Sequence, residues 1–159
     1  MYSIENIIQT IAWIGCFIAI FFIPRNKLDK AALIFFITQL FSWILGLTAV
    51  EYAWLDYPVR EFSKANATSF FFEFLMLPLI VVFFILNYPT HKQFKARIIY
   101  FVSIIFVFTL IEFFMERYTE IIKYHSWKWY WTWISMSLTI YLVMVIYKWF
   151  YKNKNIFSI

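Results

Sequence analysis

Glycine, cysteine and histidine are nearly missing from this sequence. Its 159 residues include two glycines, Gly15 and Gly46, one cysteine, Cys16, and two histidines, His91 and His125. A single cysteine allows no disulfide within the chain and no CxxC redox or metal motif. Two isolated glycines cannot make the Gly-rich loop that cradles phosphate. No serine sits in a nucleophile elbow, and the HExxH pattern of zinc hydrolases is absent. Charge is also scarce: 14% of the residues are charged, against about 25% in an average soluble domain. No metal and no cofactor is expected from this inventory.

What is present is apolar. The chain is 64% hydrophobic and 25% aromatic, with 21 phenylalanines and eight tryptophans. A chain this short has too little interior to hide so much apolar surface from water. Lipid removes the need to hide it. The long apolar runs predict an all-α polytopic membrane protein, one domain over 1–159 and a bundle of five transmembrane helices. The helices are expected at about 7–23, 31–50, 68–86, 98–123 and 129–147, the fourth with its outer end beyond the membrane. The first run lacks a basic n-region and an A-x-A-like cleavage site, so it reads as a retained helix. The net charge of +5 sits in short blocks between apolar runs. That is how topology signals look, and nucleic acid is not an expected partner. The expected partners are the lipid bilayer and a membrane protein or second copy of the chain.

Within the runs, polar and small residues fall in patterns. Ala12 and Cys16 are four apart, as are Gly15 and Ala19, which opens a face for close helix approach. Gln39, Ser42, Gly46 and Ala49 form a narrow stripe on the second helix, read as a packing seam. Pro78 predicts a kink in the third helix and a freed carbonyl one turn earlier. Asn66 or Thr68 is the expected cap of that helix. Trp127, Trp129, Trp131 and Trp133 suit the headgroup region.

Five helices place alternate connections on opposite sides. One side carries nine basic residues: Arg25, Lys27, Lys30, Lys92, Lys95, Arg97, Lys148, Lys152 and Lys154. The other carries five: Arg60, Lys64, Arg117, Lys123 and Lys128. The positive-inside rule then puts the N-terminus outside and the C-terminus in the cytoplasm of a cell membrane. Of the acids, only Asp29 falls on the basic side. Glu73, set among Phe70, Phe71, Phe72 and Phe74, lies in the outer half of helix 3. Glu112 lies at a similar depth in helix 4, on one face with Thr109, Glu116 and Glu120.

A carboxylate in lipid is costly and marks a partner or a function. The expected polar cluster is Glu73, Glu112, Glu116, Arg60, Arg117 and His125. A structural role would pair Glu73 and Glu112 with Arg60 and Arg117, or with facing hydroxyl groups, and fix helix neighbours. A transporter or sensor would use the carboxylates to bind a cation or proton, although nothing charged crosses the other half and no inverted repeat is visible. An intramembrane enzyme acting on a lipid or isoprenoid would use them as general acid and base. The reading favoured here is a non-enzymatic membrane component whose outer polar pocket takes a partner protein, lipid headgroup or small ligand.

Four segments carry a resemblance: Tyr57–Phe62, Thr68–Phe74, Glu116–His125 and Trp127–Trp133. Together they resemble an uncharacterised family of small multi-pass membrane proteins of endospore-forming Gram-positive bacteria. The resemblance implies a bacterial plasma-membrane protein with several helices, and implies no activity.

Overall fold

The computed structural model describes residues 4–154. Helix takes up 74% of the described residues. Five helical segments follow in order: α1 (Ile4–Phe21), α2 (Leu28–Glu51), α3 (Leu77–Leu86), α4 (Phe94–Tyr118) and α5 (Trp129–Lys154). Four of them, α1, α2, α4 and α5, are long and apolar enough to cross a membrane. The helix that holds α3 begins earlier, at Phe70, and passes through a π-helical stretch, Phe72–Met76, before α3 proper. Compared with the sequence expectation, α5 runs further and α4 stops earlier, at Tyr118. The residues after it turn extended because Lys123–Tyr124 form a strand, β2, antiparallel to β1 (Leu55–Asp56).

The bundle is built around α3. Seven of its ten residues are buried, including Val81, Val82 and Phe84. An all-round apolar helix is the one a bundle places at its centre. Ile34 from α2, Ile105 and Phe108 from α4, and Met136, Ile140 and Val143 from α5 close around it. The outward faces are apolar too: Phe36, Phe106 and Trp149 are all more than half exposed. An apolar core inside an apolar exterior fits a protein of the membrane.

α1 is peripheral. Its Ala12, Trp13 and Cys16 lie against Phe71, Leu75 and Leu79, as the small residue pair Ala12/Cys16 predicts. A Cβ on Gly15 would meet nothing within 4 Å, so the Gly15/Ala19 pair serves no close approach. Pro24 does not end α1 directly. The helix stops at Phe21, and Pro24 leads a short 3₁₀ turn, Arg25–Lys27.

The two connections at one end of the bundle, 52–69 and 119–128, are joined by the β1–β2 pairing, with Val59 N–H donating to the Glu120 carbonyl at 3.1 Å. Three successive N–H groups, of His125, Ser126 and Trp127, converge on the Trp54 carbonyl at 2.9–3.1 Å. That carbonyl is presented by the end of α2. Trp54 N–H bonds back to Ala49 and Ala53 N–H to Val50, with Ala53 in the left-handed region at φ 50°, the closing pattern usually given to glycine. This is the sheet end of the bundle.

Candidate functional site: an acidic cavity at the sheet end

The site begins with the way helix 3 starts. Ser69 is its cap, its Oγ accepting from Phe72 N–H at 3.3 Å. Neither of the expected caps holds that position. Asn66 instead bridges Thr68, accepting from its N–H and donating to its carbonyl. Glu61 takes the Phe71 N–H at 3.4 Å and the Trp13 indole N–H at 3.1 Å. A helix N-terminus and an α1 side chain thus share one carboxylate.

The next turn is π-helical, and Pro78 follows it. Leu77 N–H reaches back to the Phe72 carbonyl, five residues away. The Glu73 carbonyl therefore loses its usual partner, and Pro78 has no N–H to offer it or Phe74. Two residues of the α2 stripe take their place. Ser42 Oγ donates to the Glu73 carbonyl at 2.8 Å, and Gln39 Nε2 donates to the Phe74 carbonyl at 2.7 Å. The stripe is a packing seam with a specific task, the hydrogen bonding of a broken helix.

Gly46, one turn along the stripe, makes room for the Glu73 side chain. A Cβ there would lie 2.1 Å from Oε1 and 2.6 Å from Cδ of Glu73. Glu73 is 2% exposed. Its Oε1 accepts from the Thr68 hydroxyl at 3.4 Å. The Ser42 hydroxyl beside it is already engaged with Glu73's own carbonyl.

Glu112 approaches from α4. Its Oε1 accepts from the Tyr124 hydroxyl of β2 and, at 2.7 Å, from the Thr132 hydroxyl of α5. Trp127 Nε1 in turn donates to Thr132 Oγ1 at 2.9 Å. Glu73 and Glu112 line one cavity of about 70 Å³, together with Ser42, Tyr57, Thr132 and Ser135. That volume holds roughly five waters. Leu55, Tyr57 and Trp127 lie over it at the sheet end. Tyr57 is buried, and its hydroxyl is held well above the ordinary tyrosine range, first by burial and then by the charges of Glu73 and Glu112. Tyr124 is raised for the same first reason, with the Glu112 charge next.

The remaining expected site residues lie elsewhere. Arg60 donates to the carbonyls of Tyr57 and Asn66 at 2.7 and 2.8 Å, so it ties its own loop together and pairs with neither carboxylate. Arg117 is exposed on α4. No lysine or arginine forms an ion pair with Glu73 or Glu112 among the described residues. Glu116 is near enough to bear on Tyr124, and Glu120 pairs with Lys123 at 3.1 Å. His125 Nε2 lies 3.4 Å from Asp56 on the partly exposed side of the sheet. Among the described residues no group of three or more His, Cys, Asp or Glu side chains is placed to hold a metal.

Tyr57, Thr68, Tyr124 and Thr132 are members of the site that sequence reasoning missed. All four fall within the resembling segments Tyr57–Phe62, Thr68–Phe74, Glu116–His125 and Trp127–Trp133, and Thr68 also stood as an expected helix cap, but nothing marked any of them as facing Glu73 or Glu112. The chain matches no protein-family model, no curated protein and no solved structure.

Proposed function

We propose that the chain is a five-span bacterial plasma-membrane protein, N-terminus outside and C-terminus in the cytoplasm, that binds a ligand in the acidic cavity without transforming it. One observation carries the reading: two carboxylates from different helices line one cavity with no cation beside them. A ligand that supplies positive charge and N–H donors satisfies both. Beyond the cavity, towards the other end, the interior closes with Ile34, Val81, Ile105, Ile140 and Val143. A blind cavity suits binding better than passage. Helix 3, from Phe70 to Leu86, is the fifth span, since 17 residues at about 1.5 Å each reach about 26 Å. The excess of basic residues at the end opposite the sheet supports the orientation, and the family resemblance supports the bacterial membrane.

Two experiments test this. Propylammonium should raise the melting temperature of the purified protein in neutral detergent, saturably, where propanol at equal concentration does not. Loss of that difference removes the ligand reading. A fluorescent reporter fused at the C-terminus should light up in the cytoplasm, and alkaline phosphatase activity there contradicts the orientation.

A further inference from the structure

A second cavity, of about 130 Å³, adjoins the acidic one. The two share Tyr57, Phe72, Phe108 and Glu112, so the Glu112 carboxylate stands at the boundary of both. The second is a cleft between α1 and α4, with Ala12 on one wall and Ile111 and Met115 on the other. Ile111 is 49% exposed, so the cleft opens sideways through the bundle's apolar surface. No lysine, arginine or histidine lines either chamber.

This arrangement orders polarity along one path. At the inner end are two carboxylates without a cation, one of them on a side chain 98% removed from solvent. At the outer end is an apolar slot facing the lipid-like exterior. From this we infer that the occupant is a single-tailed primary amine, its ammonium between Glu73 and Glu112 and its alkyl chain in the α1–α4 cleft. The inference rests on the proposed binding role and names the chemical class that role takes. Charge complementarity selects an ammonium head. The absence of any cationic side chain selects against a phosphate beside it, so an amine without phosphate fits and an aminophospholipid does not. The small side chain of Ala12 leaves the slot open, and α1's light attachment allows entry from the side.

The test uses the full-length protein in neutral maltoside detergent and a dodecylamine carrying a diazirine at the tail end. After irradiation, label should concentrate on the peptides holding Ala12, Ile111, Met115 and Ile122. Excess dodecylamine should suppress it at least tenfold, whereas dodecanol should not. Glu112→Gln and Glu73→Gln should each reduce the labelling about tenfold. Ala12→Trp fills the slot and should abolish the labelling while the propylammonium melting shift persists, which shows that the variant is folded. Label spread evenly over lipid-facing side chains, or equal competition by dodecanol, overturns the inference. Equal competition by a lysophosphatidylethanolamine overturns its phosphate-free form. A propylammonium shift without cleft labelling sinks the amphiphile alone, and absence of both sinks the binding role beneath it.

Discussion

Gly46 and Glu73 occupy one another's space, and the fold depends on that exchange. The glycine has no turn or left-handed angle to justify it. It sits mid-helix, where glycine costs about 0.5–1 kcal/mol relative to alanine. What it provides is the seat for a carboxylate. Gly46→Ala would gain in helix propensity yet drive a Cβ into Oε1 at 2.1 Å. The expected result is a net loss of about 1–3 kcal/mol, the range for overpacking. Combined with Glu73→Ala, the same alanine should be tolerated or favourable. Melting temperatures of the four proteins, arranged as a double-mutant cycle, check this, and additive effects would contradict it.

Tyr57 carries a pH signature at the same scale. Its folded-state pKa lies above the unfolded value, as does that of Tyr124. At pH below about 10 both tyrosines are protonated whether the chain is folded or not, and their contribution is complete. At higher pH the unfolded chain loses protons that the folded chain keeps, so stability falls as pH rises. Each tyrosine contributes a slope of about 1.4 kcal/mol per pH unit. Melting curves from pH 8 to 11 should show this decline, and Tyr57→Phe should flatten it. An unchanged slope in Tyr57→Phe would place the tyrosine outside the carboxylate cavity.

At the scale of the element, helix 3 and the α2 stripe are a matched pair. The broken stretch around Phe72–Pro78 exposes two carbonyls, and Gln39 and Ser42 answer them. Gln39→Ala and Ser42→Ala should each cost about 0.6–2 kcal/mol, in line with interhelical hydrogen bonds in membranes. In a Pro78→Ala background, where a backbone N–H becomes available, the Gln39→Ala penalty should shrink. An equal penalty in both backgrounds, measured by melting temperature, would separate the side chain from the kink.

Half of this pairing was legible in the sequence. Pro78 announced a free carbonyl, and Gln39, Ser42, Gly46 and Ala49 announced a seam. The link between them was not legible, because helix adjacency is tertiary information. The π-helical stretch has no residue signature of its own. The β1–β2 pairing was equally hidden, since two-residue strands show no alternation. It accounts for the early end of α4, where an acidic periodicity through Glu116 and Glu120 pointed to continued helix. Arg60 misled for a related reason. Its charge suggested a carboxylate partner, whereas three nearby loop carbonyls accept its guanidinium donors.

For the whole molecule, chain order and charge brought Glu73 and Glu112 to a similar depth, and the bundle brings them to one cavity. Four helices are long and apolar enough to cross a membrane. The central helix is the shorter one, buried by its neighbours and carrying the acid that defines the site. The sheet across the two connections ties α2, helix 3, α4 and α5 together at that end. The cavity is therefore framed by four helices and covered by a cap, which holds two carboxyl groups in place with no lysine, arginine or histidine lining it.

The decisive measurement is propylammonium affinity, read by titrated melting shift, in wild type, Glu73→Gln, Glu112→Gln and the double variant. If the two carboxylates share one cation, each single variant weakens binding at least tenfold, and the double variant is little worse than either single. Independent, multiplicative losses, or wild-type binding no stronger than that of the double variant, would show that the two acids do not form one site.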